Sequence, residues 1–127
     1  MSNTHGVDVR QQRPQPGVVV VTVAGEIDMA TAETMRTPIT DRLRDADARL
    51  VIVDLSGVGF LASSGLAALI EAVHIAERRQ VDLRLVVDSL PVRRALQITK
   101  LLDRFDTVSS VDVALRDWTE SVQRRSW

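Results

Sequence analysis

Two adjacent serines, Ser63 and Ser64, stand at the foot of an apolar helix pattern in "DLSGVGFLASSGLAALIEAV", Asp54 to Val73. A serine there has two uses. Its oxygen can accept an orphan N–H of the first helical turn, a cap worth about 1 kcal/mol. It can also receive a phosphoryl group, because the positive end of a helix tolerates the roughly two added negative charges. Spacing alone leaves both uses open. A cap needs one serine, however, and two are present.

Other chemistry fares worse. "GVGFLA" (Gly57 to Ala62) follows a strand pattern and satisfies G-x-G-x-x-[GA]. In a dinucleotide site the glycine turn itself opens the helix and brings its N–H groups to the pyrophosphate. Here the apolar periodicity begins only at Leu66. No Gly-Lys-Ser/Thr follows, so a P-loop is excluded. A serine hydrolase needs G-x-S-x-G and a later histidine. Ser63 has Leu61 in place of the first glycine, and the histidines are His5 and His74. Two separated histidines without cysteine make no metal cluster. The sequence therefore predicts no catalytic residues, no metal site and no cofactor.

The elements that must position the serines follow from hydrophobic periodicity. "VVVVTVAG" (Val18 to Gly25) and "RLVIVDLS" (Arg49 to Ser56) are continuous apolar runs, as in strands covered on both faces. "VDLRLVV" (Val81 to Val87) is a third strand. "VDVRQQR" and "FDTV" suit short edge strands, and "RPQPG" (Arg13 to Gly17) reads as a turn. A helix is expected across "EIDMATAETMRTPITDRLRDAD", with Asp28 as its N-cap and a kink or early break at Pro38. After a loop, Leu66, Leu69, Ile70 and Val73 mark one face of a second helix, with Arg78 and Arg79 at its negative end. Asp88 or Ser89 starts a third helix, with Pro91 in its first turn. A last helix carries Val111, Leu115, Trp118 and Val122 on one face, with capping-box spacing from Ser109 to Asp112. Alternating strands and helices imply an α/β fold, its mixed sheet mainly parallel and its crossovers right-handed.

Composition narrows the function classes. The 127 residues suffice for one domain. The net charge of -1 and the 3% aromatic content lack the basic face and stacking platforms of nucleic-acid binders. There is no cysteine framework, signal-peptide pattern or membrane-spanning run, so a cytoplasmic chain is expected, without membrane insertion. An edge strand near Val7 to Arg13 offers homodimer pairing, which its charged residues oppose.

Four segments in order carry a family resemblance: "GEIDMATA" (Gly25 to Ala32), "LVIVDLSGVGFLASSGLAAL" (Leu50 to Leu69), "SLPVRRALQITKLLDRF" (Ser89 to Phe105) and "VSSVDVAL" (Val108 to Leu115). Together they resemble the STAS domain family of bacterial anti-sigma factor antagonists. The resemblance implies a single domain over residues 1–127, with a core of about 18–115 and residues 1–6 as a flexible tail. It implies about five strands and about four helices. It also implies a function. The unphosphorylated antagonist sequesters an anti-sigma factor with serine-kinase activity and frees the sigma factor. Phosphorylation of the serine before the glycine releases the partner, and a PP2C-type phosphatase resets the switch. That serine is Ser64, with Ser63 as second choice for the acceptor and first choice for the helix cap. By adjacency in the family fold, the partner-binding residues are Glu26, Asp28, Phe60, Leu61, Ser63, Ser64, Gly65 and Leu66. One departure stands out. The usual D-S-[ST]-G motif is Ala62-Ser63-Ser64-Gly65 here. The missing aspartate raises a second reading, an unphosphorylated accessory subunit of a lipid-transport ABC system or of a stress-sensing assembly.

Overall fold

The two continuous valine- and isoleucine-rich runs form the central pair of a six-stranded sheet, and helices cover both of its faces. A computed structural model describes residues 3–4, 6–100, 103 and 105–125. The elements run β1 (Asn3–Thr4), β2 (Val7–Gln15), β3 (Val18–Ile27), α1 (Ala32–Leu43), β4 (Leu50–Leu61), α2 (Ser63–Arg79), β5 (Asp82–Val86), α3 (Leu90–Ile98), β6 (Asp106–Val108) and α4 (Val111–Arg125). Spatial order follows chain order. The β1–β2 and β2–β3 pairs are antiparallel; β3, β4, β5 and β6 pair in parallel. The sheet is thus mixed and mainly parallel, and the described residues form five strands longer than two residues and four helices. Within the segment expected as a tail, Asn3 and Thr4 pair with Asp8 and Val7; residues 1, 2 and 5 lie outside the described residues, His5 among them.

Both strand faces are apolar because both are covered. On one side Val19, Val21, Val23, Val51, Val53 and Leu55 pack beneath α1, α2 and α3. On the other, Val18, Val20, Leu50, Ile52 and Val86 meet Ala114 and Trp118 of α4. Each such side chain contributes about 1.5–3 kcal/mol by leaving water, so these strands need no alternation of polar residues. The Trp118 indole N–H donates to Asp82 at 2.7 Å, and Arg49 stands 5.7 Å from the Trp118 ring centre. These contacts pin α4 across the strand starts.

Several boundaries differ from the sequence reading. Strand β2 runs through Arg13 and Pro14 to Gln15, and the turn shrinks to Pro16 and Gly17. The pairing register shifts between Gln12 and Gln15, so Pro14 falls at an irregularity of an outer strand, where a missing N–H is tolerated. Helix α1 begins at Ala32 rather than near Asp28, because β3 extends to Ile27. It continues through Pro38 to Leu43 without an early end. Strand β4 does not stop at Ser56. It pairs with β3 as far as Leu61, through register shifts between Thr22 and Ala24 and between Gly25 and Glu26. Gly25 enables this path. Its φ is +119°, and a Cβ there would meet the Gly6 carbonyl oxygen at 2.1 Å. Helix α4 is capped by Ser110, whose hydroxyl accepts the Val113 N–H at 3.1 Å, not by Ser109. The helix starts one residue later than the capping-box spacing implied.

Candidate functional site

The expected site residues gather where β3 and β4 end and α2 begins. Glu26 and Ile27 pair with Phe60 and Leu61 at the last rungs of the parallel ladder. Ile27 and Leu61 point into the core, so their neighbours Glu26 and Phe60 turn outward and are exposed. The Glu26 carboxylate lies over Gly59, where a Cβ would come within 2.7 Å of its Oε2. Gly57 and Gly59 therefore serve strand pairing and do not open the helix, so the dinucleotide-turn geometry is not formed.

The turn from β3 to α1 is tied by two side chains. Asp28 Oδ1 accepts the N–H groups of Ala30 (2.9 Å) and Thr31 (3.0 Å). The buried Thr31 hydroxyl donates to the Glu26 carbonyl at 2.8 Å and accepts the Asp28 N–H at 2.9 Å. This knot explains why "D-x-x-T" follows the strand, and it pushes Met29 out to 87% exposure. Met29 was not foreseen from the sequence. Its signal is an unpaired apolar residue inside a polar turn.

Helix α2 starts without a side-chain cap. The N-cap position is Ala62, with φ −78° and ψ 174°. Its N–H donates to the Ile27 carbonyl at 2.8 Å, and its carbonyl accepts the N–H groups of Gly65 and Leu66, both at 3.0 Å. Ser63 is therefore the first helical residue and not the cap; a serine caps only from the position before the helix. Ser63 is exposed. The Ser64 Oγ is shielded from solvent and finds no hydrogen-bond partner among the described residues. The first turn contains no acidic residue, while Arg78 and Arg79 occupy the last. Positive potential at the Ser63–Ser64 end is thus uncompensated on the helix itself.

Leu61, Gly65 and Leu66 are buried. A Cβ on Gly65 would stand 2.6 Å from Leu61 Cδ1 and 2.7 Å from Ile27 Cγ2. The bare glycine lets α2 lie directly on the strand ends, which fixes how Ser64 is presented. These three residues shape the site from beneath; Glu26, Asp28, Met29, Phe60 and Ser63 form its outer surface. Arg36 ties the two flanking helices together, pairing with Glu33 of α1 and, at 3.2 Å, with Glu71 of α2. Its hydrogen bond holds the Glu33 carboxyl below its ordinary range.

Among the described residues no group of three or more histidines, cysteines or carboxylates could hold a metal ion, and no helix is long and apolar enough to cross a membrane. His74 is exposed on α2. A groove of about 620 Å³ lies at the opposite end of the sheet, between the end of α2 and the start of β5, lined by Val73, Glu77, Leu83 and Phe105 among others.

Comparison with known proteins gives four concordant likenesses. The family model for the STAS domain matches residues 10–114. The anti-sigma-F factor antagonist RsfB of Mycobacterium tuberculosis is 34% identical over 99 residues, which cover 78% of this chain and 80% of that protein. An anti-sigma factor antagonist from Mycobacterium paratuberculosis has the same fold, with a TM-score of 0.79 and 29% identity over 92% of this chain and 97% of that one. SpoIIAA, an anti-sigma factor antagonist known in an unphosphorylated form, superposes with a TM-score of 0.75 at 19% identity, over 88% of this chain and 96% of its own. The same protein, a Bacillus cell fate determinant, is also known in a phosphorylated form. At that identity the likeness to SpoIIAA concerns the fold alone.

Proposed function

This chain belongs to the STAS domain family, and on that premise we propose that it is an anti-sigma factor antagonist switched at Ser64. The observation that carries the reading is the setting of Ser64. It lies in the first turn of α2, immediately before a glycine that lets the helix sit on the strand ends, with an exposed apolar rim beside it. The named relatives are antagonists of anti-sigma factors, and one of them is known in both phosphorylation states.

In this reading the dephosphorylated protein docks an anti-sigma factor with serine-kinase activity through Glu26, Asp28, Met29, Phe60 and Ser63. Leu61, Gly65 and Leu66 hold that surface in shape. The Ser64 hydroxyl turns outward in the complex and attacks the terminal phosphorus of the partner's ATP. The hydroxyl proton leaves, the bond to ADP breaks and phosphoserine forms. The α2 N-terminus tolerates the new charge, so the fold survives. The docking surface does not. Phosphate joins Glu26 and Asp28 in one small area, and burying it against the partner costs more than the contacts return. The complex separates, and a PP2C-type phosphatase restores the hydroxyl.

The test uses the purified anti-sigma factor kinase encoded in the same genome. Incubation with ATP should add one phosphate, mapped to Ser64 by mass spectrometry. Ser64→Ala should bind the kinase and accept none. Ser64→Glu should bind at least tenfold more weakly. Equal binding by the glutamate variant, or phosphate on another residue, refutes the switch. Ala62 in place of the usual aspartate is the feature that favours a constitutive docking role, and tight binding without phosphate transfer would establish that role instead.

A further inference from the structure

The chain has no cysteine, so methionine carries all of its sulfur. Its methionines are Met1, Met29 and Met35, and Met1 lies outside the described residues. The other two have opposite settings. Met35 of α1 is wholly buried in the core. Met29 is 87% exposed, more than any other large apolar side chain among the described residues. An exposed thioether is open to peroxides, whereas one sealed in a packed core is shielded. Within the described residues, oxidation at sulfur therefore falls on Met29.

The backbone around Met29 is fixed without help from its side chain. Asp28 Oδ1 holds the N–H groups of Ala30 and Thr31, and the Thr31 hydroxyl holds the Glu26 carbonyl. A chemical change at the sulfur therefore leaves the turn and the fold intact. What it changes is the surface. Met29 is the apolar member of a polar turn, with Asp28 before it and Glu26 at the end of the strand that leads in. A sulfoxide would place a strongly polar oxygen there. That oxygen accepts hydrogen bonds and donates none, and the two carboxylates have the same limitation. Its neighbours cannot satisfy it, and a partner surface fitted to a thioether has no donor waiting. Burying it unpaired is costly.

We propose that Met29 is a redox modification site: hydrogen peroxide oxidises its thioether to the sulfoxide, and the sulfoxide releases the docked anti-sigma factor. The inference rests on the docking role given above and adds a second input to that surface, one that needs neither ATP nor Ser64. A sulfur lone pair attacks one peroxide oxygen. The S–O bond forms, the O–O bond breaks, and the proton of the transferred oxygen joins the departing hydroxide as water. Sulfur gives up two electrons and the peroxide takes them. Hydrogen peroxide is uncharged, so Glu26 and Asp28 do not repel it. Methionine sulfoxide reductases return the thioether with two electrons from a thiol, one enzyme for each sulfoxide epimer. The site is thus reversible, as a switch requires.

The test uses the intact chain and the anti-sigma factor kinase of the same genome, with ATP left out so that no phosphoryl transfer intervenes. The chain is treated with hydrogen peroxide, the excess is destroyed with catalase, and only then is the partner added. Peptide mass spectrometry should find an added oxygen on Met29 and none on Met35, with thermal unfolding unchanged. The Kd for the partner should rise by about tenfold or more. Treatment with both sulfoxide reductases should restore it. Met29→Leu, whatever its own affinity, should give the same Kd before and after peroxide. Met29→Gln, similar in length but polar, should bind about tenfold more weakly than Met29→Leu. Unchanged binding by protein oxidised at Met29 overturns the proposal. So does oxidation that spares Met29, or a peroxide response that persists in Met29→Leu. If the untreated chain does not bind the partner at all, the docking role itself is refuted, and the proposal falls with it.

Discussion

Restoring an acidic cap at position 62 should stabilise the protein by an amount that the geometry of α2 sets. Ala62 occupies the N-cap with extended dihedrals, makes no side-chain bond, and precedes a first turn without an acidic residue. Ala62→Asp adds an acceptor for the N–H groups of the first turn, worth about 1 kcal/mol. Its charge adds about 0.3–1 kcal/mol against the helix N-terminus. The sum is about 1–2 kcal/mol, and for a domain of this size each kcal/mol raises Tm by about 3–6 °C. Ala62→Asn should deliver only the first part. The two variants also separate by pH. A capping carboxylate is favoured in its charged form, so its folded pKa falls below the unfolded value near about 3.9. The charge-linked part is then fully present above that value and lost as pH falls through the folded pKa. Ala62→Asn should show no such loss. Thermal melts at neutral pH and at pH values through the acid range read both effects. An Asp variant no more stable than wild type at neutral pH, or a gain undiminished by full acidification, would refute the placement of Ala62 as the uncapped N-cap.

Related changes probe the same helix end. Ser63→Ala should alter stability by less than about 0.5 kcal/mol, because its hydroxyl caps nothing; a loss near 1 kcal/mol in denaturant melts would restore it as the cap. Ser64→Ala should be neutral or stabilising by up to about 1 kcal/mol, since it removes a buried hydroxyl that lacks a partner. Gly65→Ala should cost about 1–2 kcal/mol net: its Cβ strikes Leu61 and Ile27, and this strain outweighs the higher helix propensity of alanine. A stabilised Gly65→Ala protein would show that α2 can shift away from the strands at no cost.

The strands were readable because burial on both faces leaves a continuous apolar run, and β3, β4 and β5 carry one. The second helix was readable from its four-residue spacing. What escaped was set by contacts between distant segments. Nothing local in "SGVGF" announces a strand; β4 continues there because bulges realign it with Ala24, Gly25 and Glu26. The extension moves the helix start to Ser63, and a one-residue displacement turns an expected cap into a first-turn residue. A similar displacement moves the α4 cap from Ser109 to Ser110. At the candidate site, Glu26, Asp28, Phe60, Ser63 and Ser64 do come together, whereas the outward thrust of Met29 depends on the Asp28–Thr31 knot. Asp28, foreseen as a helix cap, ties that knot because β3 runs two residues further than its apolar pattern.

The uneven covering of the sheet bears on how the chain is made. During synthesis β3 and β4 emerge early, and α1 and α2 can close one side of them at once. The opposite side, with Val18, Val20, Leu50 and Ile52, waits for α4, which is translated after every strand of the sheet. A nascent chain halted before Trp118 reaches Asp82 therefore presents a flat apolar sheet face, the kind of surface that chaperones hold and that aggregates when they do not.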